Sequence, residues 1–66
     1  MKNQTVLQKI KSATKDYVNR YGGKESLCPH LIAQIQEELQ WQFRNITESQ
    51  LTYARNLMNS LKTKNN

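Results

Sequence analysis

Leu31, Ile35, Leu39 and Phe43 stand four residues apart through the middle of the chain, and Ile32 falls beside them. At about 100° per residue these five side chains occupy an arc of roughly 120°, the width of the stripe that turns an α-helix towards a core. A strand needs alternation at every second residue, and none is present. Pro29 suits a first helical turn, where its missing N–H has no partner to lose. Ser26 and Cys28 are the capping candidates, Ser being the better acceptor. The spacing therefore predicts a helix over 29–44. Trp41 breaks the pattern, because it falls roughly 140° from the centre of the stripe, on a face shared with Gln34, Glu37 and Glu38.

Two further stripes flank this one. Val6, Leu7, Ile10, Ala13, Tyr17, Val18 and Tyr21 lie within roughly 140° of arc and predict a helix over about 4–21, with Asn3 or Thr5 as its cap. Gly22-Gly23 ends it, since glycine accepts the left-handed conformation common at helix exits. Leu51, Ala54, Leu57, Met58 and Leu61 span roughly 120° and predict a third helix over about 48–62. Its start is the fullest local signal in the chain. Thr47 and Gln50 have the spacing of a capping box, and Ile46 and Leu51 occupy the two positions of a hydrophobic staple. Lys62 and Lys64 suit the negative end of that helix dipole. Residues 63–66 are expected to fray. The expected fold is thus all-α, a compact three-helix bundle forming one domain over residues 1–62.

A chain of 66 residues buries only about 60% of the surface it exposes when unfolded, so its core is thin. Such scaffolds usually carry a disulfide, a metal or a partner subunit. A single cysteine excludes an internal disulfide and suits a reducing compartment, whereas a homodimer would enlarge the core. No run approaches the 18 or so apolar residues of a membrane span, and no apolar block follows Met1-Lys2. The cytoplasm is the expected location. Asn3-Gln4-Thr5 and Asn45-Ile46-Thr47, which match the glycosylation acceptor pattern, are then not expected to be modified.

The net charge of +5 is unevenly placed. Lys2, Lys9, Lys11, Lys15, Arg20 and Lys24 outweigh Asp16 in the first 24 residues. Glu25, Glu37, Glu38 and Glu48 outweigh Arg44 in the next 26, and Arg55, Lys62 and Lys64 follow without an acid. Two basic segments flank an acidic one. Basicity of this kind is compatible with a polyanionic partner without requiring one. The lysines of the first helix line both edges of its apolar stripe, as side chains do when they snorkel around a buried seam.

Catalysis is not expected. The chain has one His, one Cys and one Asp, no Gly-rich phosphate loop, and no third group to orient a Cys28–His30 pair. As metal ligands Cys28 and His30 supply two groups where a structural zinc site wants four, so they read as residues of the turn before a helix, with no metal or cofactor implied.

Two surfaces carry the functional expectation. Opposite the apolar stripe of the third helix lie Ser49, Thr52, Arg55, Asn56 and Asn59. Arg and Asn make bidentate bonds to guanine and adenine edges, and Ser and Thr bond phosphate oxygens. Lys9, Lys11, Lys15 and Lys62 are candidate phosphate contacts. A solvated polar face is the plain alternative. The span from Leu39 to Leu57 resembles a helix-turn-helix unit, with Arg44-Asn45-Ile46-Thr47 as the turn and Ser49, Gln50, Thr52, Tyr53, Arg55 and Asn56 on the second helix. Asn45 stands where such turns often have Gly, and the preceding helix is about twice the usual length, so no family follows. This reading expects a small regulatory protein that binds nucleic acid, DNA before RNA. The other surface is Trp41 with Glu37, Glu38 and Gln34. Tryptophan is enriched at interface hot spots, so this face suits a protein-binding inhibitor or adaptor of the kind that phages and mobile elements encode, or self-association. Alternatively Trp41 covers the loop Gly22–Leu27. Neither surface suggests a membrane or a small-molecule substrate.

Overall fold

The computed structural model describes residues 5–63. Three helices, α1 (Val6–Arg20), α2 (Pro29–Gln42) and α3 (Glu48–Thr63), pack pairwise around one core, and a 3-10 turn at Lys24–Ser26 closes the link between α1 and α2. No strand occurs among the described residues. The Cα radius of gyration, 11.6 Å, is close to the roughly 11 Å expected of a single folded body of this length. No described helix is long and apolar enough to cross a membrane.

Each stripe faces inward, but only its middle is enclosed. Ile10, Ala13 and Val18 of α1 meet Ile32, Ile35 and Leu39 of α2 and Ala54 and Met58 of α3, with Leu27 buried from the link. Leu31, Phe43, Ile46, Leu51, Tyr53 and Leu61 pack around this centre, half-buried. Thr14 is fully buried as well, although no stripe includes it. Its hydroxyl donates to the Ile10 carbonyl oxygen at 2.7 Å, which satisfies the one polar atom and leaves a methyl group for the core. The ends of the α1 stripe correct the expectation: Val6, Leu7 and Tyr21 are exposed. Val6 borders Phe43 and Ile46 at one end of the bundle and the Tyr21 hydroxyl reaches Glu38 of α2, so each touches the bundle at its margin without being enclosed.

The helix limits also move. Thr5 is the cap of α1, with its hydroxyl accepting from the Gln8 N–H at 3.1 Å and its own N–H bonded to the Gln8 side chain. Asn3, the other cap candidate, Lys2, and Lys64 lie outside the described residues. Ser26 does not cap α2. It belongs to the 3-10 turn, and Cys28 holds the cap position with no side-chain hydrogen bond. α2 ends at Gln42, two residues before the expected limit, because Phe43 turns extended (φ −115°, ψ 90°) and swings its ring onto the core. α3 continues through Thr63, whose hydroxyl bonds back to the Asn59 carbonyl oxygen at 3.1 Å. That residue is helical rather than frayed.

Candidate functional site

Local bonds set the polar face of α3 in place. The Thr47 hydroxyl accepts from the Gln50 N–H at 3.2 Å, while the Gln50 side chain accepts from the Thr47 N–H at 2.9 Å. This reciprocal cap fixes the first turn. Across the helix pair, Gln36 Nε2 donates to the Leu51 carbonyl oxygen at 3.0 Å, holding α3 in register against α2. Ser49, Thr52, Arg55, Asn56 and Asn59 are all exposed on the far side. Arg55 and Asn59 sit at its α2 edge, where they line a groove with Pro29, Ile32, Ala33 and Gln36. Glu48, the only acid in α3, sits in the first turn, where the helix dipole favours a negative charge.

The lysines do not share one surface. Lys15 lines the groove between α1 and α3 with Val18, Asn19, Lys24 and Leu61. Lys9 is roughly 120° away around α1, beside Ser12, Asp16, Gln42 and Phe43. It also borders the end of the bundle with Arg44, Asn45 and Gln50, which brings it near the start of α3. Lys11 and Lys62 are exposed, and Lys62 lies in the last turn of α3.

Trp41 stands out from α2 with 81% of its surface exposed, so it does not cover the Gly22–Leu27 loop. It lines a shallow concavity of about 440 Å³ with Gln40 and Arg44. Along the neighbouring seam with α1, a chain of polar contacts ties the helices together. Tyr17 donates to Gln42 Oε1 at 2.9 Å, Tyr21 donates to Glu38, and Gln34 donates to the same Glu38 oxygen at 3.4 Å. The Arg20 guanidinium lies 5.7 Å above the Tyr17 ring. Tyr17, Arg20, Tyr21, Gln42 and Arg44 were not singled out by sequence reasoning as companions of Trp41. The two tyrosines, one turn apart at the border of the α1 stripe, are the signal that points to such a seam.

The same seam perturbs the Tyr21 phenol. Its hydrogen bond to the Glu38 carboxylate, helped by desolvation and by the negative charge itself, holds the phenol above its ordinary value of 10.0. The bond favours the protonated phenol, so its contribution to folding is complete below pH 10.0 and is lost as pH rises through the higher folded value. Absorbance titration at 295 nm should show a late-ionising component from Tyr21, and Tyr21→Phe should remove it.

Cys28 and His30 are both exposed at the start of α2. Among the described residues no three His, Cys, Asp or Glu side chains come together in a way that would hold a metal. No family model, curated protein or solved structure matches this chain.

Proposed function

We propose that this chain is a small nucleic-acid-binding regulatory protein that presents the polar face of α3 to DNA. The observation that supports this most is the joint exposure of Ser49, Thr52, Arg55, Asn56 and Asn59 on one capped helix. These residue types match both base edges and phosphates, and no acid follows Glu48 to repel a polyanion. Duplex DNA is favoured over duplex RNA because the major groove of B-DNA admits a helix, whereas the major groove of A-form RNA is too narrow. Lys11 and Lys15 on the α1 side, Lys62 in the last turn and Lys9 near the start of α3 would hold phosphates.

Binding titrations with DNA and RNA at several salt concentrations test the reading on the wild type and on Arg55→Ala. Saturable binding near physiological salt is expected, with a log–log salt slope that becomes shallower by about 1 in the variant. Binding no tighter than about 10⁻⁴ M and indifferent to the substitution is the background of any basic protein, and would end this reading.

The exposure of Trp41 supports a second reading, in which the chain is an inhibitor or adaptor that docks a protein through α2. A contact anchored on tryptophan would respond weakly to salt and fail with Trp41→Ala. Co-purification that is equally productive with and without that side chain would remove it.

A further inference from the structure

We propose that Trp41 and Arg44 bind single-stranded nucleic acid, with the indole stacking on an unpaired base and the guanidinium making the first of two phosphate contacts. The site lies apart from the polar face of α3 and goes beyond the duplex reading, because it takes the strand state that a groove-reading helix does not. It starts from Trp41, the only tryptophan, which offers 81% of its surface to solvent. An exposed indole accepts any base, since every base has a π-face.

What borders the indole decides the class of ligand. Trp41, Gln40 and Arg44 line one concavity, and Arg44 also lines the next, with Lys9, Asn45 and Gln50 around Val6, Phe43 and Ile46. The shared Arg44 makes the two concavities neighbours, so a path runs from the indole past the end of α2 to the start of α3. Among the described residues no acid lines either concavity, and neither Arg44 nor Lys9 has an ion-pair partner. Two unneutralised cations therefore follow the aromatic ring along one path, which is the combination of stacking and backbone charge that single strands recognise. Half-buried Phe43 and Ile46 give a sugar an apolar floor. The exposed Asn45 amide has both a donor and an acceptor for a base edge.

The acids set the direction. Glu38 is turned to the α1 seam, where Tyr21 and Gln34 bond it, and Glu37 stands about one turn back along α2. A phosphate next to Trp41 is repelled from that side and drawn forward to Arg44. Arg44 also offsets the negative end of the α2 dipole, and the bordering start of α3 presents the positive end of its own. A protein anchored on Trp41 would meet polar and cationic groups here, not the water-excluding surround that makes a hot spot. A duplex keeps its bases inside its own stack and leaves the indole without one.

The sole tryptophan is its own probe. Titrating the full chain with oligo(dT) of about 10 nucleotides should quench Trp41 emission, with half-saturation on the order of 10 µM at low salt. Oligo(rU) of the same length should quench as well, since stacking and phosphate contact are common to both strands. Inorganic polyphosphate and a blunt duplex should leave the emission unchanged. With a labelled dT strand followed by anisotropy, Trp41→Ala should bind about 10-fold or more weakly. Arg44→Ala and Lys9→Ala should each make the log–log salt slope shallower by about 0.7. Arg55 borders Gln36, roughly 140° around α2 from Trp41, so Arg55→Ala should bind the strand as the wild type does. Its effect on duplex binding judges the α3 reading separately. Circular dichroism confirms that each variant is folded. Quenching by polyphosphate as strong as by oligo(dT), or strand binding indifferent to Trp41→Ala, overturns the proposal. Strand binding lost in Arg55→Ala alone overturns it as well and assigns single strands to α3. Emission unmoved by either strand also overturns it and leaves Trp41 to the protein-docking reading.

Discussion

Leu39→Ala is expected to cost about 3 kcal/mol of folding free energy, within the 2–5 kcal/mol range for truncating an enclosed leucine. Leu39 has no exposed surface and belongs to a core cluster drawn from all three helices. Three short helices offer few ways to close over the vacated space without separating somewhere else, so the cavity penalty adds to the lost transfer energy. At about 0.05–0.15 kcal/mol per residue the whole domain is stable by roughly 3–10 kcal/mol. The substitution therefore removes between a third and all of it. Urea unfolding should be followed by circular dichroism at 222 nm, because Trp41 is already 81% exposed and its emission will change little. With a slope of about 1 kcal/mol per molar urea, the midpoint should fall by about 3 M, or the variant should be unfolded without denaturant. A loss below about 1 kcal/mol would mean that this position is not enclosed.

Gly23→Ala should cost about 1–3 kcal/mol for a different reason. Gly23 has φ +90° and ψ −176°, a combination that an L side chain pays heavily to adopt. An added methyl would meet nothing within 4 Å, so the penalty comes from the backbone alone. The conformation is held from both sides. The Gly23 N–H bonds the Val18 carbonyl oxygen at 2.8 Å, the Gly22 N–H bonds that of Asn19 at 3.3 Å, and the Gly23 carbonyl oxygen accepts from Ser26 at 3.0 Å. The first two bonds close α1 as a Schellman motif, and the third starts the 3-10 turn. Gly22, at φ +113°, differs in that a methyl there would run into Ser26 Oγ. Synthetic chains separate the causes. D-alanine at position 23 should restore the urea midpoint of the wild type, because its mirror-image preferences allow positive φ. If it unfolds as early as the L-alanine variant, backbone conformation is not the cause.

Much of the bundle was legible because it is written locally. Three apolar stripes at helical spacing, a cap for α1 among Asn3 and Thr5, and the Thr47–Gln50 box each depend on residues within a few positions of one another. So does the exposure of the α3 polar face, which follows from the burial of Ala54 and Met58 on the opposite side. The misread details depend on what another helix covers. Val6 and Leu7 have the right phase for burial but are left exposed at the end of the bundle, whereas Thr14 has a polar side chain but is fully enclosed. Ser26 is the better capping residue by type, yet the 3-10 turn takes it away from the start of α2.

The sequence by itself determined the helix count, their approximate limits and the side of each that faces inward, because periodicity and capping act over one or two turns. Only the tertiary structure decided which polar groups share a surface. It set Lys9 beside the end of α2 and Lys15 in the groove with α3, joined Tyr17 and Tyr21 to α2, and kept Arg44 beside Trp41 beyond the end of a helix. Those neighbourhoods depend on how one helix rotates and slides against another. That arrangement comes from the packing of many apolar contacts at once, and no single spacing along the chain encodes it.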